Sequence, residues 1–191
     1  MQGEIAHITL LVTRTLDRLG IAYAVGGSLA SSLHGVMRAT LDVDIVADMK
    51  PEHVQPMIAG LSKEFYADED MIRDAIERHS SFNLIHYETA LKVDVFVCKP
   101  RAFDKMQLER RWTSIIATAP EQSIYVVSPE DTILAKLEWY RLGGEVSDRQ
   151  WRDILGVMKV RAGDLDIGYL QKWARVLEVG DLLERALDEA T

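Results

Sequence analysis

Asp42 and Asp44 stand two residues apart in the run Leu41-Asp42-Val43-Asp44-Ile45-Val46-Ala47. The run alternates: Leu41, Val43 and Ile45 fall on one face, Asp42, Asp44 and Val46 on the other, which is the period of a β-strand. Positions i and i+2 of a strand share a face, so the two carboxylates stand side by side. Like charges that close repel, and desolvation adds to the cost. A divalent cation is the simplest neutraliser, and Mg²⁺ commonly uses one or two carboxylates together with substrate phosphates. A sheet-edge strand with both aspartates in water is the competing reading of the pair. Asp94 weighs against it. It interrupts a second apolar run, Leu91-Lys92-Val93-Asp94-Val95-Phe96-Val97, where an aspartate is disfavoured. If the two strands are neighbours, the three carboxylates converge and can ligate two metals. Two metals suit in-line phosphoryl or nucleotidyl transfer, with Asp94 ligating the metal nearer the nucleophile.

A phosphate-binding turn would complete such a site. Gly26-Gly27-Ser28 follows the apolar run Ile21–Val25 and precedes a short helical stretch. The glycines bring backbone N–H groups near a helix N-terminus, where negative charge is favoured. The Ser28 hydroxyl can donate to a phosphate oxygen. A tight strand-to-helix connection is the plainer alternative for the turn taken alone. No Gly-Lys-Ser/Thr follows, so this is not a Walker loop.

Taken together, Gly26-Gly27-Ser28, Arg38-Ala39-Thr40-Leu41-Asp42-Val43-Asp44, Lys92-Val93-Asp94, the Lys136 of Ile133-Leu134-Ala135-Lys136-Leu137 and Arg152-Asp153 resemble the nucleotidyltransferase superfamily of the DNA polymerase β type. Within it the blocks are most similar to the small bacterial AbiEii/AbiGii-toxin-like group. The resemblance spans roughly residues 20–155. It implies an α/β (α+β) nucleotidyltransferase fold, a mixed β-sheet flanked by helices with a C-terminal helical subdomain. It implies a Mg²⁺-dependent enzyme, with two ions, that moves an NMP group from an NTP to an acceptor: an RNA end such as tRNA, a protein or a small molecule. Asp42, Asp44 and Asp94 are then the catalytic and metal-binding residues. Gly26, Gly27, Ser28, Arg38, Thr40, Lys92, Lys136 and Asp153 are the nucleotide-binding set, with Lys136 and Asp153 near the nucleotide or the acceptor. A toxin-like role with an antitoxin-like partner chain belongs to the same resemblance. A non-catalytic nucleotide-binding or partner-binding module of the same fold is the alternative.

Several of these residues carry plainer readings. Arg38 contacts phosphate or a carboxylate, or is a surface arginine. Lys92 shares the face of Asp94 and pairs with it, reaches a phosphate, or is simply solvated. His79 reads as a helix-end histidine on the helix dipole, and His34 as structural. Trp139, Trp151 and Trp173 fall on helical stretches and read as core aromatics rather than base-stacking residues. Arg110, Arg111 and Arg141 would grip a tRNA end only if they cluster.

The elements that must position these groups follow from periodicity. Ile5, Ile8, Leu11, Val12, Leu16 and Leu19 recur at helical spacing, with Gly20 as the stop. Ile21–Val25 is a buried strand and Ser28–His34 a short helix. Pro51 opens a helix, Asp68–Arg78 forms another, and Phe82–His86 with Leu91–Val97 form a hairpin. Pro100–Arg111 is helical; Ser114–Thr118 and Ser123–Val127 are strands. Ser128-Pro129-Glu130-Asp131 is a helix start, with an N-cap serine, proline at the first position and acids in the first turn. That helix runs to Arg141 and stops at Gly143-Gly144; Ser147 caps the next, to about Lys159, and two more cover Asp166–Leu177 and Asp181–Ala190. The chain therefore divides into an α/β core, residues 1–127, and a helical subdomain, residues 128–191.

Composition sets the outer bounds. The 191 residues are 48% hydrophobic and 27% charged, a globular balance. A net charge of −8 excludes a broad basic nucleic-acid footprint. The single cysteine, Cys98, excludes an intramolecular disulfide or a cysteine-based zinc cluster and reads as a buried or half-buried thiol. The N-terminal stretch has no signal-peptide layout and no run reaches membrane-span length, so the expectation is a cytoplasmic protein without membrane contact.

Overall fold

The computed structural model describes residues 2–35 and 42–190. Helix α1 (Gln2–Arg18) leads into strand β1 (Tyr23–Val25), helix α2 (Gly27–Leu33) and strand β2 (Asp42–Ala47). A short 3₁₀ turn, Pro51–His53, opens α3 (Val54–Leu61), followed by β3 (Phe65–Tyr66), α4 (Glu69–Arg78), β4 (Ser81–His86) and β5 (Lys92–Val97). Then come α5 (Ala102–Glu109), β6 (Trp112–Thr118) and β7 (Glu121–Val126). Four helices end the chain: α6 (Pro129–Leu142), α7 (Asp148–Val160), α8 (Ile167–Val176) and α9 (Gly180–Ala190). The strands form one mixed sheet in the order β3-β4-β5-β2-β1-β7-β6, with β2/β5 and β1/β7 parallel. The architecture is the expected mixed sheet flanked by helices.

Strand alternation decides what faces what. Val43 and Ile45 of β2, Phe82 and Leu84 of β4, and Val93 and Val95 of β5 all point to one face. There they meet Ile8, Val12 and Leu16 of α1, Met57 of α3 and Ile72 of α4 in the larger core. Asp42, Asp44, Lys92 and Asp94 alternate with the apolar set and so lie on the opposite face. A second core joins Phe103 of α5 to Ile133, Leu134 and Leu137 of α6, Trp151 and Ile154 of α7, Leu170 and Trp173 of α8 and Leu183 of α9.

Strand β3 is the one element sequence periodicity leaves out. It is two residues long, pairing Phe65 with His86 and Tyr66 with Ile85, and two residues carry no period. The start of α6 is as expected: the Ser128 hydroxyl oxygen accepts from the Asp131 N–H at 3.1 Å. It also donates to the Asp131 carboxylate at 3.0 Å. Asp131 is fully buried and its carboxyl is raised by burial, against the hydrogen bonds from Tyr169 and Ser128. Tyr169 Oη donates to it at 2.7 Å, which ties α8 to α6.

His34 plays the structural part expected of it. It caps the C-terminus of α2, and its Nε2 donates to the Val127 carbonyl at 2.7 Å. Its own carbonyl accepts from Arg161 at 3.3 Å, so one residue links α2 to the β7–α6 junction and to α7. Burial holds the imidazole below its ordinary 6.5. The folded state therefore favours the neutral ring, and that stability is present above the ordinary value and lost as pH falls through the folded one. Unfolding midpoints measured from pH 8 to pH 5 should fall across the acid half of that range. His34→Gln, which keeps a donor toward Val127, should flatten the slope; an unchanged slope would refute the assignment to His34.

Candidate functional site

The parallel register of β2 and β5 sets Asp42 opposite Lys92 and Asp44 opposite Asp94. Neighbouring strands lie about 4.8 Å apart, so the two aspartate-bearing strands are direct neighbours, the condition under which their carboxylates share a face. Across the same face, β4 continues the rows: Asn83 lies opposite Asp94 and Ile85 opposite Lys92. Lys92 Nζ pairs with Asp94 Oδ2 at 2.9 Å, the first of the three readings open for that lysine. Among the described residues, no group of three or more His, Cys, Asp or Glu side chains is placed to hold a metal ion. The ammonium of Lys92 stands at the Asp94 carboxylate instead.

Asp44 is the electrostatic centre of the face. Burial first, then the charges on Asp94 and Asp42, push its carboxyl above the usual carboxylate range, partly offset by Lys136 and Lys92. The chemistry of the donor set suits a hard divalent cation: carboxylate oxygens on adjacent strands, already raised in energy by their own repulsion.

The glycine turn meets this strand directly. Gly26 N–H donates to the Asp44 carbonyl at 2.8 Å. Gly27 has φ +56°, and a Cβ built there would lie 1.8 Å from Asp44 Oδ2. Glycine is thus required twice, by backbone conformation and by the carboxylate seated against it. The turn is not just an open cradle; its missing side chain makes the space that Asp44 fills. Ser28 follows in the first turn of α2, with its carbonyl accepting from the Ser32 hydroxyl at 3.0 Å. Arg38 and Thr40, also assigned to the nucleotide, lie outside the described residues.

Helix α6 brings Lys136 within electrostatic reach of Asp44. Lys136 Nζ pairs with Asp153 Oδ2 of α7 at 2.9 Å, with side-chain exposures of 12% and 5%. Asp153 is therefore a buried partner of Lys136.

Sequence reasoning misplaced one residue and overlooked another. Trp151 and Trp173 are buried as expected, but Trp139 is 52% exposed. Three residues after Lys136, it leaves the helical core and meets Phe96 edge-on, ring centroids 6.3 Å apart. Phe96 shares the face of Lys92 and Asp94 by the period of β5, a signal present in the sequence. The three arginines do not form a common grip. Arg110 pairs with Glu130 and stacks on Tyr169, Arg111 donates to the Leu108 carbonyl and covers Tyr125, and Arg141 pairs with Glu145 and Asp181. His79 ends α4 in the left-handed conformation, and its Nδ1 lies 3.1 Å from the Cys98 carbonyl oxygen. Cys98 is half-buried, its thiol pushed up to about 11 mainly by burial. No helix among the described residues is long and apolar enough to cross a membrane.

No protein-family model matches the sequence, and no curated protein matches it at a significant level. Solved structures do match in shape. An antigenic nucleotidyltransferase-like protein from Paracoccidioides brasiliensis superimposes with a TM-score of 0.56 at 17% identity, over 97% of this chain and 93% of that one. The antibiotic-resistance factor ANT(2'')-Ia matches with a TM-score of 0.58 at 13% identity, over 99% and 100%. The lincosamide antibiotic adenylyltransferase LnuA, in its lincomycin-bound structure, gives 0.50 at 16% identity, over 84% and 98%. The chain has the fold of these nucleotidyltransferases.

Asp44 is held against its own charge. With its carboxyl raised in the folded state, ionisation works against folding, and stability falls as pH rises past the ordinary carboxylate range. In metal-free buffer at pH 7, Asp44→Asn should raise the denaturant midpoint, with the gain shrinking in acid. A lowered midpoint would show that the charge is compensated. Gly27→Ala should cost at least about 1 kcal/mol. A double-mutant cycle with Asp44→Ala should return part of that cost, because the two positions touch.

Proposed function

We propose that this protein transfers a nucleoside monophosphate from an NTP to an acceptor. The observation that carries the reading is Asp44 opposite Asp94 on parallel strands, beside a glycine turn packed on Asp44. Asp42, Asp44 and Asp94 would hold Mg²⁺, which supplies charge neutralisation and activation of the attacking oxygen. The Gly26–Ser28 turn holds the triphosphate tail, the role its motif suggests. Lys136, kept in place by Asp153, offsets charge on the Asp44 side. Asp94, on the far strand, faces the acceptor and takes the proton of its hydroxyl as the new bond to the α-phosphorus forms and pyrophosphate leaves. Catalysis of this kind rests on positioning and charge more than on an acid–base pair. The division at residues 127/128 fits this picture: the α/β part supplies the carboxylates and the turn, and the helical part supplies Lys136 and Asp153.

A toxin-like role rests on the AbiEii/AbiGii resemblance of the motifs alone. The Lys92–Asp94 ion pair favours a second reading, nucleotide binding without turnover, in which Lys92 permanently occupies the acceptor-side carboxylate.

Calorimetry with Mg²⁺ and a non-hydrolysable ATP analogue, paired with transfer assays using α-labelled NTPs, separates the readings. The expected result is saturable binding and labelled product in the wild type, with Asp44→Asn losing at least about a hundredfold in transfer rate while remaining folded. Binding without product on RNA, protein or small-molecule acceptors would support the second reading. Absence of binding for all four NTPs would defeat both.

A further inference from the structure

The sheet carries its reactive groups in one direction. The glycine turn, Asp44 and Asp94 succeed one another from β1 through β2 to β5. In-line transfer places leaving and attacking oxygens on opposite sides of the phosphorus. With the triphosphate tail at Gly26–Ser28, the acceptor comes from the side of Asp94, over β5 and β4. That stretch of the open face carries Phe96 beyond Asp94, with Asn83 and Ile85 on β4 opposite Asp94 and Lys92. Trp139 stands over Phe96 with half of its surface in solvent.

We infer that Trp139 and Phe96 form the acceptor subsite, and that the acceptor is a small, uncharged hydroxyl compound with a flat apolar ring. This rests on the nucleotidyl-transfer reading above. The charge pairing around the site argues for this class. Lys92 is bound to Asp94, Lys136 to Asp153, and Arg101 to Glu138 and Asp104. A nucleic-acid backbone needs free lysines or arginines to replace its counterions, whereas a ring stacked on an indole does not. An indole left half exposed beside reactive carboxylates offers a broad apolar plane, and Asn83 offers a neutral amide to a hydroxyl.

The test uses phenyl β-D-glucopyranoside and methyl β-D-glucopyranoside, which share the same hydroxyls and differ in the ring. Both are titrated into the full chain with Mg²⁺ and the non-hydrolysable ATP analogue, following the indole ¹H–¹⁵N signal of Trp139, assigned by its loss in Trp139→Phe. The phenyl glucoside should shift that signal saturably and bind at least about fivefold more tightly than the methyl glucoside. Trp139→Ala should erase the difference while changing affinity for the ATP analogue less than twofold, and Trp139→Phe should keep most of it. Equal affinities for the two glucosides, or an unmoved Trp139 signal, would overturn the inference. So would a loss of ATP-analogue affinity in Trp139→Ala, which would assign the indole to the nucleotide base, or a shift of the signal by a short RNA oligonucleotide at lower concentration than the glucoside. If the wild type binds none of the four non-hydrolysable NTP analogues, the nucleotidyl-transfer reading itself fails; if it binds one of them but does not discriminate between the glucosides in its presence, only the acceptor subsite fails.

Discussion

Everything in the candidate site depends on one register, the parallel pairing of β2 with β5. A shift of one residue would turn Asp44 and Asp94 into the core and bring Val43 and Val93 out. The valines and isoleucine of the inner face hold the register, since each is buried against α1, α3 and α4. The hydrophobic effect thus positions the carboxylates indirectly. It acts on their neighbours in sequence and leaves the charges on the face where they repel. The raised Asp44 carboxyl is the cost of that arrangement, borne by the larger core.

The two lysines relieve this strain in different ways. Lys92 comes from the same strand as Asp94 and is 44% exposed, so a competing cation can displace it cheaply. Lys136 comes from a helix, is mostly buried, and is fixed by Asp153. One charge is mobile and one is built in. A face with both can exchange a monovalent partner for a more highly charged one without leaving Asp44 uncompensated.

Much of this was legible in the sequence. Alternation in β2 and β5 assigned Asp42, Asp44 and Asp94 to one face, and the cap at Ser128 marked the start of α6. That the Asp-bearing strands are neighbours stood in the sequence only as a condition, because adjacency is a tertiary fact that no local pattern contains. Trp139 shows the limit. Helical spacing put it with Trp151 and Trp173, yet a helix has more than one buried side and only packing decides which neighbour covers each. Here α6 shows its leucines to the helical core and Lys136 and Trp139 to the sheet. The glycine pattern predicts room for phosphate at Gly27; the closest occupant of that room is a carboxylate from another strand, a contact that spacing cannot reveal.

The β2–β5 pairing also has a kinetic side. Asp44 and Asp94 are roughly 50 residues apart in the chain, with α3, β3, α4 and β4 between them, and closing so long a loop is slow compared with forming local helices and hairpins. The β4–β5 hairpin and the C-terminal helices can form early, from local contacts. The carboxylates meet only when the central parallel pair closes. A newly made or partly unfolded chain would therefore carry most of its secondary structure before it can bring these charges together, so whatever chemistry they perform is reserved for the completed fold.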